Sequence, residues 1–248
     1  MSDILIDRAD SILTLSFNRP SKRNAITHEM YQTLADQLKA AAEDFGIRVV
    51  CFRGEGDHYT AGNDIGDFLN SPPMDSNSPV INFLSHIYQF PKPIICGVKG
   101  NAVGIGTTML LHSDINICDA SAKFSMPFVS LGLVPEAGSS LLFTKLAGYH
   151  TAAKIFLTGE SFSAEVACDI GLVNEVVTDV DAEVKRIAEV IAEQPPGSVL
   201  QTKALLKSAD HEKVGAVMKA EAELFALALQ SDEAREAFFK FIAKKKKA

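Results

Sequence analysis

A glycine-rich stretch, Gly100-Asn101-Ala102-Val103-Gly104-Ile105-Gly106-Thr107-Thr108, lies between two apolar segments of the chain. The preceding segment, Pro93–Val98, has the length of a buried strand, and the following residues, Met109–Leu111, continue as an apolar helix. The glycines therefore stand at a predicted strand-to-helix turn. Such a turn leaves the first N–H groups of the helix unpaired, and Gly104 and Gly106 carry no side chain that would keep another molecule away from them.

This turn has two interpretations. Unpaired N–H groups at a helix start favour an anion or a developing negative charge, which predicts a donor site. The alternative is a glycine turn with a structural role only, because the spacing Gly-x-x-x-Gly-x-Gly matches neither the dinucleotide fingerprint nor the P-loop. The spacing alone does not separate the two.

A second unit of this kind stands upstream, at Tyr59–Phe68. It follows the predicted strand Val49–Arg53 and the loop Gly54–His58. The unit contains Ala61-Gly62-Asn63-Asp64-Ile65, so it also combines a glycine turn with a predicted helix start. Two such turns can face each other in the folded chain.

Taken together, Ala61–Ile65 and Gly100–Gly106 resemble the paired motifs of the enoyl-CoA hydratase/isomerase (crotonase) family. The two motifs are specific as a pair, although neither is specific singly. The resemblance extends from the N-terminal strands to about Val177, and the helical remainder also fits. It implies an α/β fold, the crotonase spiral of strand-strand-helix units with a C-terminal helical subdomain.

The pattern of the whole chain predicts the same class independently. Strand-like and helical segments alternate through the first three quarters of the sequence, which is typical of a layered α/β domain. Pro195-Pro196-Gly197 marks a boundary, and residues 198–243 then place apolar and charged residues at helical period. We therefore predict a core domain, residues 1–193, and a C-terminal helical subdomain, residues 194–248, which by resemblance serves oligomerisation and completes the coenzyme A (CoA) site.

Length, composition and charge narrow the classes of function. The chain has 248 residues, 47% of them hydrophobic, so it can bury a large core. A formal net charge of −7 argues against a nucleic-acid binder, which needs a clustered basic face. The only basic run, Lys244–Lys247, is interpreted as a solvated tail, with a contact to a partner or to CoA phosphates as the alternative.

The cysteines and histidines predict no metal site. Neither residue type shows metal-ligand spacing, and three of the four cysteines lie in apolar strand-like segments, which indicates buried free thiols in a reducing compartment. The sequence has no secretory signal, no segment long enough to span a bilayer and no peroxisomal ending. We predict a cytoplasmic protein that binds neither membrane nor nucleic acid. The four cysteines are Cys51, Cys96, Cys118 and Cys168.

The chemistry of a CoA thioester explains why two opposed glycine turns are useful. Loss of a proton next to the thioester carbonyl gives an enolate, whose oxygen needs donors that are already in place. The resemblance assigns these donors to the main-chain N–H groups of Asn63 and Ile105. Many family members carry glycine where this chain has Ile105, but a backbone donor does not depend on the side chain.

The resemblance also indicates the base. Hydratases of the family use two glutamates, at positions that Thr108 and Phe128 occupy here, and neither of these residues ionises usefully. Glu136 occupies the position of the single catalytic glutamate in the Δ3,Δ2-enoyl-CoA isomerase branch. Its apolar neighbours, Val134 and Pro135, predict a desolvated carboxylate with a raised pKa. The alternative is an acidic residue at a helix start, which the helix dipole favours.

The remaining binding residues come from the resemblance. It places Lys22, Arg23 and Ala25 near the CoA phosphates and adenine, and Ala61 at a main-chain contact with adenine. A charged surface loop is the alternative for Lys22 and Arg23. The full predicted set for the CoA ester is Lys22, Arg23, Ala25, Ala61, Gly62, Asn63, Asp64, Ile65 and Ile105. Phe238 and Lys244 are candidates for completing the site of a neighbouring subunit.

We therefore expect an enzyme that isomerises 3-enoyl-CoA to 2-enoyl-CoA, with no cofactor, since CoA is part of the substrate, and no metal. Two alternatives stay open: another crotonase-family reaction such as enoyl-CoA hydration, and a non-catalytic acyl-CoA-binding protein. By resemblance, and because apolar residues of the C-terminal helices need cover, we predict a homotrimer or a dimer of trimers. These apolar residues include Leu224, Phe225, Leu227, Phe238, Phe239 and Ile242.

Overall fold

The computed structural model describes residues 2–70 and 78–245. Residues 246–248 and the side chain of Lys244 lie outside the described part, so the expectations for the lysine run rest on the sequence.

Two sheets form the scaffold of the described chain. The strands are β1 (Ile4–Ala9), β2 (Ile12–Phe17), β3 (Val49–Gly54), β4 (Ile94–Val98), β5 (Asn101–Val103), β6 (Ile115–Cys118), β7 (Lys123–Ser125), β8 (Phe162–Ser163) and β9 (Glu175–Val176). The larger sheet has the order β1-β2-β3-β4-β6-β9 and the smaller one β5-β7-β8. β1 and β2 form an antiparallel hairpin, whereas the other neighbours in the larger sheet are parallel.

Helices cover the sheets. They are α1 (His28–Glu43), α2 (Ile65–Asn70), α3 (Pro79–Gln89), α4 (Ile105–Thr108), α5 (Ser139–Ala147), α6 (Tyr149–Thr158), α7 (Ala164–Asp169), α8 (Val180–Glu193), α9 (Pro196–Ser208), α10 (His211–Leu229) and α11 (Asp232–Lys245). α1 begins where the sequence allows a cap, since the Thr27 side chain accepts a hydrogen bond from the Met30 N–H.

The central strands β3 and β4 of the larger sheet are buried on both faces, which explains why they are almost continuously apolar. Phe52 points into the main core with α1 and α3, where Leu34 and Phe83 are fully buried. The alternate residue Val49 points to the opposite face, where Val184 of α8 covers it. Helices on both faces of a mostly parallel sheet confirm the predicted α/β class.

The C-terminal helices are attached to this core by buried contacts. Nζ of Lys203, on α9, donates to the Lys92 carbonyl and to Oδ2 of Asp114, both at 2.6 Å. Further along, Phe225 of α10 and Phe238 of α11 lie within the main core cluster. The expectation that other subunits cover these two phenylalanines is therefore wrong, because their own chain already buries them.

The cysteine prediction is confirmed for the strands. Cys51, Cys96 and Cys118 are buried free thiols, and Cys168 is half-buried. Burial raises the pKa of the Cys51 and Cys96 thiols to about 12, so both stay protonated and unreactive. None of the helices within the described residues has the length and apolar composition that crossing a membrane requires.

Candidate active site

The two glycine turns of the sequence meet in space. Thr60 forms a parallel bridge with Ala102, in which its N–H donates to the Asn101 carbonyl and its own carbonyl accepts from the Val103 N–H, both at 3.0 Å. The predicted juxtaposition of the turns is therefore present, at the junction where β5 leads into α4.

Glycine is required at this junction because the two backbones approach closely. Gly62 has a φ of +79°, and a Cβ atom there would lie 2.5 Å from the carbonyl oxygen of Val103. A Cβ atom at Gly106 would lie 2.6 Å from Cγ2 of Thr60. Any larger residue at either position would push the turns apart.

The N–H groups of Asn63 and Ile105 are directed away from the surrounding ladders. Gly62 and Asp64 use their carbonyl and N–H groups to pair with Ile26, and successive peptide groups alternate in direction, so the Asn63 N–H points to the other side. Ile105 is the first residue of α4, where an N–H has no intrahelical partner. Both residues line the same cavity.

Glu136 stands in that cavity as a half-buried carboxylate. The Thr108 hydroxyl donates to its Oε1 at 2.5 Å. Burial raises the pKa of Glu136 to about 8, the Thr108 hydrogen bond acts in the opposite direction, and the nearby charge of Glu221 raises it further. The alternative role, an acidic residue at a helix start, does not fit, since α5 has no acidic residue in its first turn.

The loop that carries Glu136 has an unusual backbone. Ala137 adopts a φ of +60°, a left-handed conformation that alanine rarely occupies. Its carbonyl accepts a hydrogen bond from Nε2 of the buried His112 at 2.7 Å. Burial lowers the pKa of His112 to about 4, so the ring is neutral and Nε2 carries the donated hydrogen.

Two residues that the sequence did not single out belong to this site. Tyr31, a fully buried residue of α1, donates its hydroxyl to Oδ1 of Asn63 at 2.5 Å. Glu221, a buried residue of α10, accepts hydrogen bonds from the N–H groups of Gly138 and Ser140. Tyr31 looked like an ordinary core position of an amphipathic helix. Glu221 lies between Ala220 and Ala222 but also between Lys219 and Glu223, so nothing in the local sequence distinguished it from a solvated charge.

The cavity has a volume of about 540 Å³, which lies in the usual range for small-molecule sites. Its polar end carries Tyr31, Asn63 and Glu136, and its walls come from α3 and α10. Most wall residues are apolar: Val80, Ile81, Leu84, Ile105, Ala137, Met218, Ala222, Phe225 and Ala226. A small polar centre with long apolar walls suits a ligand that has one reactive group and an aliphatic part.

The residues predicted for CoA form a neighbouring loop pair. The Ala61 N–H donates to the Arg23 carbonyl at 2.9 Å, which brings the segment around Lys22 next to the first glycine turn. Lys22 and Arg23 are exposed and Ala25 is buried. None of these four residues lines the described cavity. Their role in CoA binding stays a prediction.

Two further expectations concern Asp64 and Phe238. Asp64 caps α2, because its Oδ1 accepts from the N–H groups of Gly66 and Asp67, and its Oδ2 pairs with Arg19 at 3.1 Å. Its carboxylate is thus occupied by the protein itself. Phe238 is 3% exposed, so it cannot reach the CoA of a neighbouring subunit as the sequence suggested.

The fold and the site define an α/β protein in which Asn63, Ile105 and Glu136, whose carboxyl group has a raised pKa, line one mostly apolar cavity. Over residues 7–248 the sequence matches the family described as enoyl-CoA hydratase/isomerase. This chain belongs to that family, and its fold is the crotonase fold.

Individual relatives support this membership. Human enoyl-CoA delta isomerase 2 is 34% identical over 253 residues, which cover 98% of this chain; the chain spans 64% of the human protein's length. The 1,2-epoxyphenylacetyl-CoA isomerase of Escherichia coli (strain K12) is 33% identical to this chain. The alignment covers 99% of this chain and 97% of the Escherichia coli protein. A crystal structure of an enoyl-CoA hydratase/isomerase from Pseudoalteromonas atlantica T6c has a TM-score of 0.94 and 40% identity, with 98% of both chains covered.

Proposed function

We propose that this protein isomerises 3-enoyl-CoA to 2-enoyl-CoA, with Glu136 as its single base. The observation that carries the proposal is a carboxylate with a pKa of about 8 in a cavity that it shares with the N–H groups of Asn63 and Ile105. A base with a pKa near the working pH combines a useful ionised fraction with effective proton transfer. The relative named enoyl-CoA delta isomerase 2 is consistent with this reaction.

The reaction needs one proton to move between two carbons of the same substrate. The Glu136 carboxylate takes a proton from C2, and the electron pair of that C–H bond moves into the thioester, giving a dienolate with charge on the carbonyl oxygen. The N–H groups of Asn63 and Ile105 hold this oxygen. Protonated Glu136 then returns the proton to C4, so the double bond moves from C3–C4 to C2–C3. Atoms and charge balance without a cofactor or a metal.

Hydration is disfavoured by the residues at the two hydratase positions. Adding water across a double bond needs groups that activate and orient the water, and family hydratases use two carboxylates for this. Here Thr108 is a neutral donor to Glu136, and Phe128 is 6% exposed, with its ring packed toward Phe156. Of the three positions at which the family carries catalytic glutamates, only that of Glu136 has a carboxylate here.

Separate assays with two substrates test the proposal. Purified protein is incubated with a 3-enoyl-CoA and, independently, with the matching 2-enoyl-CoA, and products are separated by chromatography. We expect formation of 2-enoyl-CoA from the first and little 3-hydroxyacyl-CoA from the second. Efficient hydration of the 2-enoyl-CoA by protein free of host hydratase would replace isomerisation as the function. Tight binding of both esters without turnover would indicate the non-catalytic alternative.

We also propose that the protein assembles as a homotrimer or a dimer of trimers and works in the cytoplasm. Exposed apolar side chains on α10 and α11 support the assembly: Leu227 is 66% and Phe239 73% exposed. Such residues usually mark contact surfaces when they lie together. Light scattering at micromolar concentration tests this, and a monomeric mass would contradict it.

A further inference from the structure

We infer that Glu221, on the C-terminal helix α10, is a positioning residue that holds the loop of Glu136 in its working geometry. The inference rests on the proposed function, in which Glu136 is the base. It gives the C-terminal helices a part in the chemistry in addition to assembly.

Glu221 is buried and uses both of its carboxylate oxygens to hold the start of α5. The residue is 6% exposed, its Oε2 accepts from the Gly138 N–H at 2.6 Å, and its Oε1 accepts from the Ser140 N–H at 2.9 Å. Both N–H groups belong to the start of α5, where the helix dipole favours a negative charge. Hydrogen bonds to an ionised acceptor are stronger than neutral ones, and both carboxylate oxygens are used. Glu223, two residues further along the same helix, is exposed and lines the cavity.

Glu221 and His112 form hydrogen bonds with the two polar groups of one peptide unit. The carbonyl of Ala137 accepts from His112, and the N–H of Gly138, in the same peptide unit, donates to Glu221. This peptide group joins Ala137 to Gly138 and so lies one residue beyond Glu136. Because Ala137 lies in the left-handed region, which costs alanine free energy, the loop needs external contacts to keep this conformation. Two opposed hydrogen bonds fix the peptide plane and, with it, the direction in which the Glu136 side chain leaves the backbone.

Glu221 also acts on Glu136 through its negative charge. The charge of Glu221 adds to burial in raising the pKa of Glu136. A like charge nearby disfavours ionisation, which strengthens the protonated form that must deliver a proton to C4. The other titratable groups that face this part of the cavity come from α1, α3, the turn after α4, and α10: Tyr31, Tyr88, His112, Lys219 and Glu223.

Helix α10 carries both Glu221 and part of the cavity wall. Met218, Ala222 and Phe225 of α10 line the cavity and flank Glu221 in the sequence. An aliphatic group that fills the cavity therefore contacts α10, the helix whose Glu221 holds the loop of Glu136. Occupancy of the apolar wall and the position of Glu136 are linked through one rigid element.

Three variants test the inference. Glu221→Gln removes the charge and one acceptor, Glu221→Asp keeps the charge but shortens the reach, and Glu189→Gln neutralises an exposed carboxylate on α8 as the matched control. Turnover of a 3-enoyl-CoA is measured against pH for each protein. The ionisation of Glu136 is followed independently by carbon-13 NMR of glutamate-labelled protein, with its signal identified by its loss in Glu136→Gln.

In Glu221→Gln we expect the pH-independent rate to fall by up to about 10²-fold, since small displacements of a reacting group have effects of this size. The acidic limb of the pH–rate profile of Glu221→Gln should move to lower pH. The carbon-13 titration of Glu136 in this variant should move in the same direction. Glu221→Asp should lose rate but keep the acidic limb near that of the wild type, and Glu189→Gln should match the wild type in both.

A lower thermal unfolding temperature with unchanged rate and unchanged titration in Glu221→Gln would reduce Glu221 to a helix cap and overturn the inference. If that variant does not fold, an unchanged rate in Glu221→Asp overturns it instead. The NMR titration does not depend on turnover. It therefore separates a failure of this inference from a failure of the proposed isomerase reaction, which would show as an inactive wild type.

Discussion

The hydroxyl group of Thr108 donates a hydrogen bond to Oε1 of Glu136 at 2.5 Å, although 28 residues separate them in the chain. By resemblance, Thr108 stands where hydratases carry their first glutamate. A neutral donor thus replaces an ionisable group and orients the carboxylate that remains. A site with one oriented carboxylate suits the transfer of a proton within a substrate better than the addition of water.

Replacing the base tests its role directly. We expect Glu136→Gln to bind acyl-CoA normally and to lose isomerisation by about 10² to 10⁴-fold, because glutamine keeps the shape but cannot accept the C2 proton. The main-chain donors of Asn63 and Ile105 should survive the change. Turnover, CoA-ester affinity and thermal unfolding are measured beside Glu189→Gln. Unchanged turnover would remove Glu136 from the chemistry.

Thr108→Val probes the hydrogen bond to the base. Valine keeps the side-chain shape, but the bond that favours the ionised form of Glu136 is lost, so the pKa of Glu136 should rise above about 8. We expect the acidic limb of the pH–rate profile to move to higher pH, and turnover at neutral pH to fall about tenfold. Thr158→Val on the surface of α6 is the control. A profile that coincides with the wild type would show that the bond has no catalytic effect.

The raised pKa of Glu136 also predicts a pH dependence of stability. The unfolded chain releases this proton near pH 4.5 and the folded chain near pH 8, so the folded state binds the proton more tightly. The contribution of Glu136 is therefore fully present below about pH 4.5 and is lost as the pH rises toward 8. Over this window Glu136→Gln should gain stability relative to the wild type, on the order of 2–4 kcal/mol.

Chemical denaturation of both proteins at several pH values measures this difference, which cancels the titration of all other groups. A constant difference between pH 4.5 and 8 would mean that the Glu136 carboxyl is not desolvated in the folded protein.

The close approach of the two turns predicts the effect of a single methyl group. Gly62 and Gly171 both have a φ of +79°, but a Cβ at Gly62 meets the Val103 carbonyl at 2.5 Å, whereas the nearest atom to a Cβ at Gly171 is Cδ1 of Leu146 at 3.5 Å, an ordinary contact. Alanine at either site carries a backbone cost of about 1 kcal/mol. Gly62→Ala should lose about 1–3 kcal/mol more and most of its activity, because the clash displaces the Asn63 N–H.

Urea unfolding and turnover of both alanine variants measure the contrast. Equal stabilities would contradict the steric argument, and full activity in Gly62→Ala would separate this turn from the site.

Much of the fold was predictable because its signals are local. Apolar segments of strand length identified β3 and β4, and the two glycine turns indicated where separate parts of the chain can meet. Glu136 was assigned by the family resemblance, and its apolar neighbours, Val134 and Pro135, supported the expectation of a desolvated carboxylate with a raised pKa. Its burial and raised pKa agree with that expectation.

Apart from the pairing of the two glycine turns, contacts between distant parts of the chain were beyond prediction. From the sequence we predicted that other subunits cover the apolar residues of the C-terminal helices. The helical period of these residues does not tell which of them the same chain will bury. Phe225 and Phe238 turned out to belong to the core, and Glu221 to the base loop. Tyr31 escaped notice for the same reason, because its partner Asn63 is 32 residues away.

The separation of 83 residues between Gly138 and Glu221 has a consequence for biosynthesis. A ribosome releases both glycine turns and Glu136 long before α10, and domains generally begin to fold from their N-terminal parts during translation. Until α10 emerges, the nascent chain lacks one wall of its cavity and one of the two hydrogen bonds that hold the Ala137–Gly138 peptide group. On the proposed function, we therefore expect chains that end before α10 not to turn over thioesters.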